Sequence, residues 1–203
     1  MTLSSEDRAR IAAAIHAAEK RTSGEIVCVL AGRSSDATGL PILIAALVAL
    51  LEPWLLVHFT RLPVAEILLL QAATFVLLLL FLGLAPVRVA LVPAATRRAL
   101  AHRAAMEQFT LRDVSRTKDR TGILIFVSLA ERYVRIVADE GIASRVPQAE
   151  WQQAVEALVA HMRDGRIADG FVAAIGRCAD VLAAHFPPVD GRHDELPDRI
   201  YLI

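Results

Sequence analysis

Two cysteines, Cys28 and Cys178, are all that 203 residues hold, so no disulfide framework organises the chain. Aromatic residues make up only 5%, which points away from an unusually aromatic core. Charge of one sign is missing as well: 22 basic residues balance 22 acidic ones, and without a net positive field nucleic acid is not a partner the composition supports. The signatures of common catalytic sites are absent too. No H-E-x-x-H, G-x-S-x-G, P-loop or G-x-G-x-x-G occurs, and His16, His58, His102, His161, His185 and His193 are scattered without ligand spacing. Cys28 falls in an apolar strand and Cys178 on an apolar helix stripe, positions that suit small buried hydrophobes better than nucleophiles.

What the chain has in excess is aliphatic residues. It is 55% hydrophobic, against about 45–50% for an ordinary globular domain, and the surplus is Ala, Leu and Val. It is concentrated between Leu40 and Ala85, where Glu52, Arg61 and Glu66 are the only full charges. Residues 40–59 and 67–85 each approach the roughly 20 residues that cross a hydrocarbon core at about 1.5 Å per residue. The link between them is short and contains Pro63, so two spans joined this way run antiparallel. A core helix of a soluble bundle keeps a polar face, whereas residues 75–82 are apolar all round. The run starts about 40 residues in, after a charged segment that reads as folded, which does not fit a cleaved signal peptide.

Basic residues set the expected orientation. Lys20, Arg21 and Arg33 precede the spans, Arg88, Arg97, Arg98 and Arg103 follow them, and Arg61 stands alone between. The positive-inside rule then predicts an inner (cytoplasmic) membrane protein with both soluble parts cytoplasmic. Arg88, Arg97, Arg98 and Arg103 are the candidate membrane-surface residues, worth about 1 kcal/mol each against anionic headgroups; the alternative is a solvated helix face beside a span. Glu52 is the intramembrane polar residue, because a carboxylate near the bilayer centre costs about 2.5–3.5 kcal/mol. It precedes Pro53. It reads either as a helix break facing a partner span or an ion path, or as part of a kinked or late-starting span with the carboxyl protonated or buried in a homo-oligomer.

The remainder alternates between helical and strand periodicity. Ser4 or Ser5 caps a helix carrying Ile11, Ile15 and Ala18 and ending at Lys20-Arg21. Residues 25–30 form a buried strand between Gly24 and Gly32. Residues 94–112 suit a helix with Leu100, Ala104, Ala105 and Phe109 on one side. A β-hairpin follows, its first strand (121–128) apolar on both faces and so central, its second (133–138) carrying Arg135 and so closer to an edge. Two helices at 147–162 and 169–186 close the domain, with Trp151, Val155, Leu158, Val159 and Met162 on one and Phe171, Ile175, Cys178 and Leu182 on the other. His161 and Asp164, three apart, read as a shared helix face or as an ordinary helix end. His193 with Asp194 and Glu195 is a weaker metal-binding candidate in a tail whose last residues, 199–203, form a short edge strand or a docked segment.

The order of these segments is recognisable. Thr22-Ser23-Gly24-Glu25-Ile26-Val27 behind an N-terminal helix, then Arg120-Thr121-Gly122-Ile123-Leu124-Ile125-Phe126-Val127-Ser128, then Arg135-Ile136-Val137-Ala138-Asp139-Glu140-Gly141-Ile142, then Asp164-Gly165-Arg166 running to Gly170-Phe171, resemble the TPM-domain family. The resemblance covers residues 1–35 and about 95–186. It implies an α/β sandwich with a mixed central sheet flanked by helices, here interrupted by a two-helix transmembrane hairpin. The chain then reads as a first part of the domain (1–35), a hairpin (40–86), the remainder of the domain (94–186) and a C-terminal tail (187–203). The family includes thylakoid-lumen proteins linked to photosystem repair and bacterial membrane-tethered proteins, commonly outside the cytoplasm on one terminal anchor. It implies an accessory or interaction module for a membrane complex, with the lipid bilayer and an unidentified membrane protein as partners. It also implies an alternative, a weak divalent-cation-dependent phosphatase or hydrolase using the acidic loop after the third motif. Asp139 and Glu140 are then the candidate metal ligands, for calcium or magnesium, and no other cofactor is expected. Calcium takes six to eight oxygens, so the same two residues also read as surface loop acids.

Overall fold

The computed structural model describes residues 3–33, 39–84, 87, 91–189 and 195–203. Along the chain run α1 (Ser5–Glu19), β1 (Glu25–Ala31), α2 (Gly39–Phe59), α3 (Val64–Gly83), α4 (Ala94–Leu111), β2 (Gly122–Ser128), β3 (Tyr133–Ala138), α5 (Glu140–Ala143), α6 (Gln152–Arg163), α7 (Ile167–His185) and β4 (Ile200–Leu202). Two units result, Met1–Ser34 with Leu100–Ile203, and Ser35–Ala99.

The first unit is built on a mixed four-stranded sheet of order β3-β2-β1-β4. β1 runs parallel to both β2 and β4, and β2 pairs antiparallel with β3. The strand pleat sorts the apolar residues onto two faces. Ile26, Cys28 and Leu30 of β1 and Ile123, Ile125 and Val127 of β2 join one core with residues of α1, α6 and α7. Val27, Val29, Ala31, Leu124 and Phe126 point the other way, against Ala105 and Phe109 of α4. All seven positions of β1 and all seven of β2 are buried. As the residue patterns predict, β2 is central, β3 lies at an edge and the tail supplies an edge strand, β4.

α1 starts with a capping box: the Asp7 amide donates to Ser4 Oγ at 3.0 Å and the Ser4 amide to the Asp7 carboxylate at 3.2 Å. Four expectations shift. α1 ends at Glu19, one residue before the basic pair, with Lys20 as its C-cap. The buried stripe of α4 is Ala101, Ala105 and Phe109, while Leu100 and Ala104 are half-buried, because the i, i+4, i+8 row tolerates small residues where the helix approaches the sheet. Pro147 caps a 3-10 turn (Gln148–Trp151) before α6 begins. Asp139 stands at the N-cap of α5, so the stretch expected as a loop is a single helical turn.

The second unit holds α2 and α3, which pack on each other. Both are long and apolar enough to cross a membrane. Thr60 closes α2, its amide and hydroxyl both donating to Leu56 O, and Pro63 precedes α3. Large side chains such as Trp54 (78% exposed) and Leu69 (71%) cover the outer faces.

A Cβ added at Gly122 would stand 2.5 Å from the Val114 carbonyl oxygen, whereas at Gly176, inside α7, nothing lies within 4 Å. We expect Gly122→Ala to cost about 1–3 kcal/mol by overpacking and Gly176→Ala to gain up to about 1 kcal/mol through helix propensity, read as opposite shifts of the thermal unfolding midpoint.

Candidate functional site

β1 and β2, buried on both faces, leave room for polar chemistry only at their ends. Among the described residues, Thr22, Glu25, Thr117, Thr121 and Asp139 are buried polar side chains at one end, and Ser128 and Glu131 at the other. In the second pair the Ser128 hydroxyl donates to the Glu131 carboxylate. The first group lines the start of β1 and β2 and the close of β3.

Register fixes how these residues meet. Glu25 is paired with Gly122 across β1 and β2, and the Asp139 amide donates to Gly122 O at 2.9 Å. Strand alternation puts Glu25 and Asp139 on the same face as Val27 and Val137, with Gly122 between them. Three threonines knit the rim together. The Thr22 hydroxyl donates to Phe186 O at 2.6 Å, the Thr121 amide to Thr117 Oγ1 at 3.1 Å, and the Thr121 hydroxyl to Ser23 O at 3.1 Å.

Asp139 and Glu140, the two expected metal ligands, are divided between different tasks. Asp139 Oδ1 accepts the Glu140 amide at 2.7 Å as the α5 cap. Its Oδ2 is buried with no hydrogen-bond partner, and the residue is 7% exposed. Glu140 is exposed and ion-paired with Arg120; such a surface pair contributes about 0–1 kcal/mol and is readily exchanged. Gly141 packs against the carbonyls of Asp119 and Arg120, 2.5–2.6 Å from where a Cβ would stand. The loop therefore brings one idle buried carboxylate oxygen and one exchangeable carboxylate to the same end of the sheet. Among the described residues no three His, Cys, Asp or Glu side chains gather as a metal site would need.

A second acidic cluster, unmarked by any motif, joins α1 to the tail. Glu19 Oε1 accepts the Ile26 amide at 2.8 Å, and the carboxyl also hydrogen-bonds Asp198. Asp198 in turn meets His16 Nδ1 at 2.8 Å. Burial first, then the Asp198 hydrogen bond and the charges of Glu25 and Asp198, push the Glu19 carboxyl up to about 10, against the pull of the Ile26 amide. Glu19 is thus a proton-bearing carboxyl, donating to Asp198 while accepting from β1. The only sequence signal was an acid in the last turn of α1, which no local pattern ties to a residue far along the chain.

The remaining candidates are placed as follows. Arg98 and Arg103 are exposed, Arg103 pairing with Glu107 at 3.1 Å, and Arg97 is half-buried. Arg88 and His193 lie outside the described residues. α2 is continuous through Pro53, with no break at Glu52, whose Oε1 accepts the Thr74 hydroxyl of α3 at 3.0 Å. His161 Nδ1 lies 2.8 Å from Ala157 O and Asp164 pairs with Arg166 at 2.9 Å, so His161 and Asp164 serve separate contacts. Burial pushes both cysteine thiols upward, Cys28 the more so for the neighbouring Cys178, which keeps them as unreactive thiols.

Comparison with known proteins agrees with this architecture. The TPM domain family matches residues 85–181. The NMR structure of BA42 protein from the psychrophilic bacterium Bizionia argentinensis superposes with a TM-score of 0.64 at 22% identity, over 100% of this chain and 97% of that one, a likeness of fold. No curated protein matches the chain.

A carboxyl with a raised folded pKa holds its proton more tightly in the fold, so its stabilising contribution is complete below about pH 4.5 and is lost as the pH climbs toward 10. Glutamine can accept from Ile26 and donate to Asp198 without titrating. Glu19→Gln is therefore expected to flatten the fall in denaturant midpoint between about pH 5 and about pH 9, by up to one proton's worth or about 1.4 kcal/mol per pH unit.

Proposed function

Because the chain carries a TPM domain, we propose that it is a membrane-anchored member of that family in which the α2–α3 hairpin holds the domain at a bilayer as an accessory or interaction module for a membrane protein complex. The observation that carries this reading is the apolar exterior of the hairpin. Both helices are of spanning length, and their outer faces carry Leu, Val, Trp and Phe side chains that water does not reward. Lipid is the solvent in which such a surface is stable.

Orientation follows from charge. Lys20, Arg21 and Arg33 before the hairpin and Arg97, Arg98 and Arg103 after it, against Arg61 in its turn, favour a cytoplasmic domain at the inner membrane. The full chain should stay in the membrane pellet after alkaline carbonate extraction. A thiol introduced by Arg166→Cys, at an exposed position with both native cysteines buried, should resist an impermeant maleimide in intact cells and react after lysis. Release by carbonate would sink the anchor, and labelling of intact cells would sink the cytoplasmic placement.

A second reading has one specific observation in its favour, the buried and unpartnered Asp139 Oδ2. A divalent cation held by Asp139 Oδ2 and by Glu140, released from its pair with Arg120, would polarise a phosphoryl oxygen for hydrolysis. On this reading calcium or magnesium raises the melting temperature of the purified protein and Asp139→Asn abolishes the rise. An unchanged melting temperature in both proteins rejects it.

A further inference from the structure

Away from the acidic end of the sheet, a cleft of about 590 Å3 opens between the β2–β3 turn and the C-terminal half of α6, lined by Leu129, Arg132, Val134, Val159, Met162 and Arg163. Its volume lies within the range of small-molecule sites, about 300–1,000 Å3. The floor is apolar: Leu129, Val134 and Met162 are half-buried and pack on the main core. The rim is cationic. Arg132 and Arg163 are exposed, and among the described residues neither guanidinium has an ion-pair partner within 4.0 Å. Asp164, next to Arg163 in sequence, pairs with Arg166 instead.

Both arginines are held by rigid backbone. The turn is fixed to β1 by the Leu129 and Ala130 amides donating to Ala31 O and Gly32 O at 3.0 and 3.2 Å. Arg132 itself sits at φ 50°, a left-handed conformation that costs an L-residue about 1–2 kcal/mol and that glycine adopts freely. Arg163 closes α6, where Gly165 at φ 76° and the Gly165 and Arg166 amides, donating to Met162 O and His161 O at 3.0 Å, lock the helix end. Two guanidinium groups without an ion pair, carried on held backbone over an apolar floor, match an anion that carries an apolar body.

We propose that this cleft binds a small amphipathic anion, a carboxylate or phosphate-type head on Arg132 and Arg163 with an acyl or aryl body on Val134, Val159 and Met162. The head supplies paired acceptors for the guanidinium donors, and the body covers side chains that are otherwise wetted.

The test uses the full chain in phosphatidylcholine nanodiscs with 13C-methyl methionine. The chain has three methionines, so Met162 reports the cleft and Met106, exposed on α4, is an internal control. Phenylphosphonate, which resists hydrolysis, should shift the Met162 methyl saturably and leave Met106 in place. Inorganic phosphate alone should bind about tenfold more weakly, since it lacks the body. Arg132→Gly should weaken binding about tenfold while the melting temperature holds or rises, and Arg163→Gln should weaken it by a similar factor. A separate arm with phosphatidic acid in the disc distinguishes the sources of the head: a Met162 shift there assigns it to lipid, and a shift with phenylphosphonate alone assigns it to a soluble molecule. No saturable Met162 shift with either probe, or unchanged affinity in both variants, overturns the proposal.

Discussion

The parallel pairing of β1 with β2 is the constraint on which the rest of the structure depends. β1 is buried at every position, so both of its edges and both of its faces need partners. Its two edges go to β2 and β4, and its faces to two separate cores. Parallel neighbours cannot be joined by a tight turn; the chain must leave at Ala31, cross over and return at Gly122. That crossover contains the α2–α3 hairpin as well as α4. The hairpin is therefore an insertion in a connection the sheet needs anyway, and loop-closure entropy grows only slowly with the added length. The same topology explains why the family match at residues 85–181 leaves out the strand at the sheet's centre. β1 and β4 both lie outside that stretch and join it only in space.

The ends of β1 inherit the polar requirements of this arrangement. Where β1 begins, Thr22, Glu25, Thr121 and Asp139 are forced under the surface, and hydrogen bonds between threonine hydroxyls and backbone satisfy much of the rim. β4 is only three residues long and is too short to hold itself on β1 by ladder bonds alone. It is fixed by flanking contacts: Ile203 exchanges hydrogen bonds with Gly32 and Leu30, Tyr201 lies under the guanidinium groups of Arg112 and Arg199 at 4.0 and 4.6 Å, and Asp198 reaches His16 and Glu19. The protonated Glu19 thus fastens the tail to α1 by a hydrogen bond between carboxyl groups. A second negative charge there would oppose it.

Local patterns carried the sequence reading a long way. The serine cap before α1, the apolar run at 25–30, the apolar 121–128 followed by the one-sided 133–138, and the glycine at 165 each report on backbone a few residues away, and the elements stand close to where those signals place them. Other features escaped for physical reasons. Asp139 was legible as an acid but not as a cap, because Asp-Glu-Gly-Ile lacks the apolar repeat that announces a longer helix, and α5 is a single turn. The phase of α4 slipped by one residue because alanines at 101, 104 and 105 give little contrast between faces. The Glu19–Asp198 contact and the Arg132–Arg163 cleft join residues distant in sequence, and no local rule reaches across that separation.

Glu52 shows how the hairpin accommodates the one acid in its first helix. Pro53 has no amide hydrogen, so the carbonyl four residues earlier, that of the buried Ala49, loses its usual helical donor. In water such a loss is made good by solvent; in an apolar setting it must be met by packing or by a neighbouring polar group. The carboxyl one position before that defect is met in part, because Thr74 donates to its Oε1 from α3, while Oε2 is buried with no donor among the described residues. Threonine is suited to the task, since its hydroxyl can serve an interhelical bond while its methyl keeps contact with the surrounding aliphatic side chains. Polar pairing inside an otherwise aliphatic hairpin also fixes register: sliding α3 by one residue along α2 would rotate Thr74 away and leave the Glu52 carboxyl without this donor. The acid that looked like an anomaly in the first span is in this way a specifier of how the two helices pair.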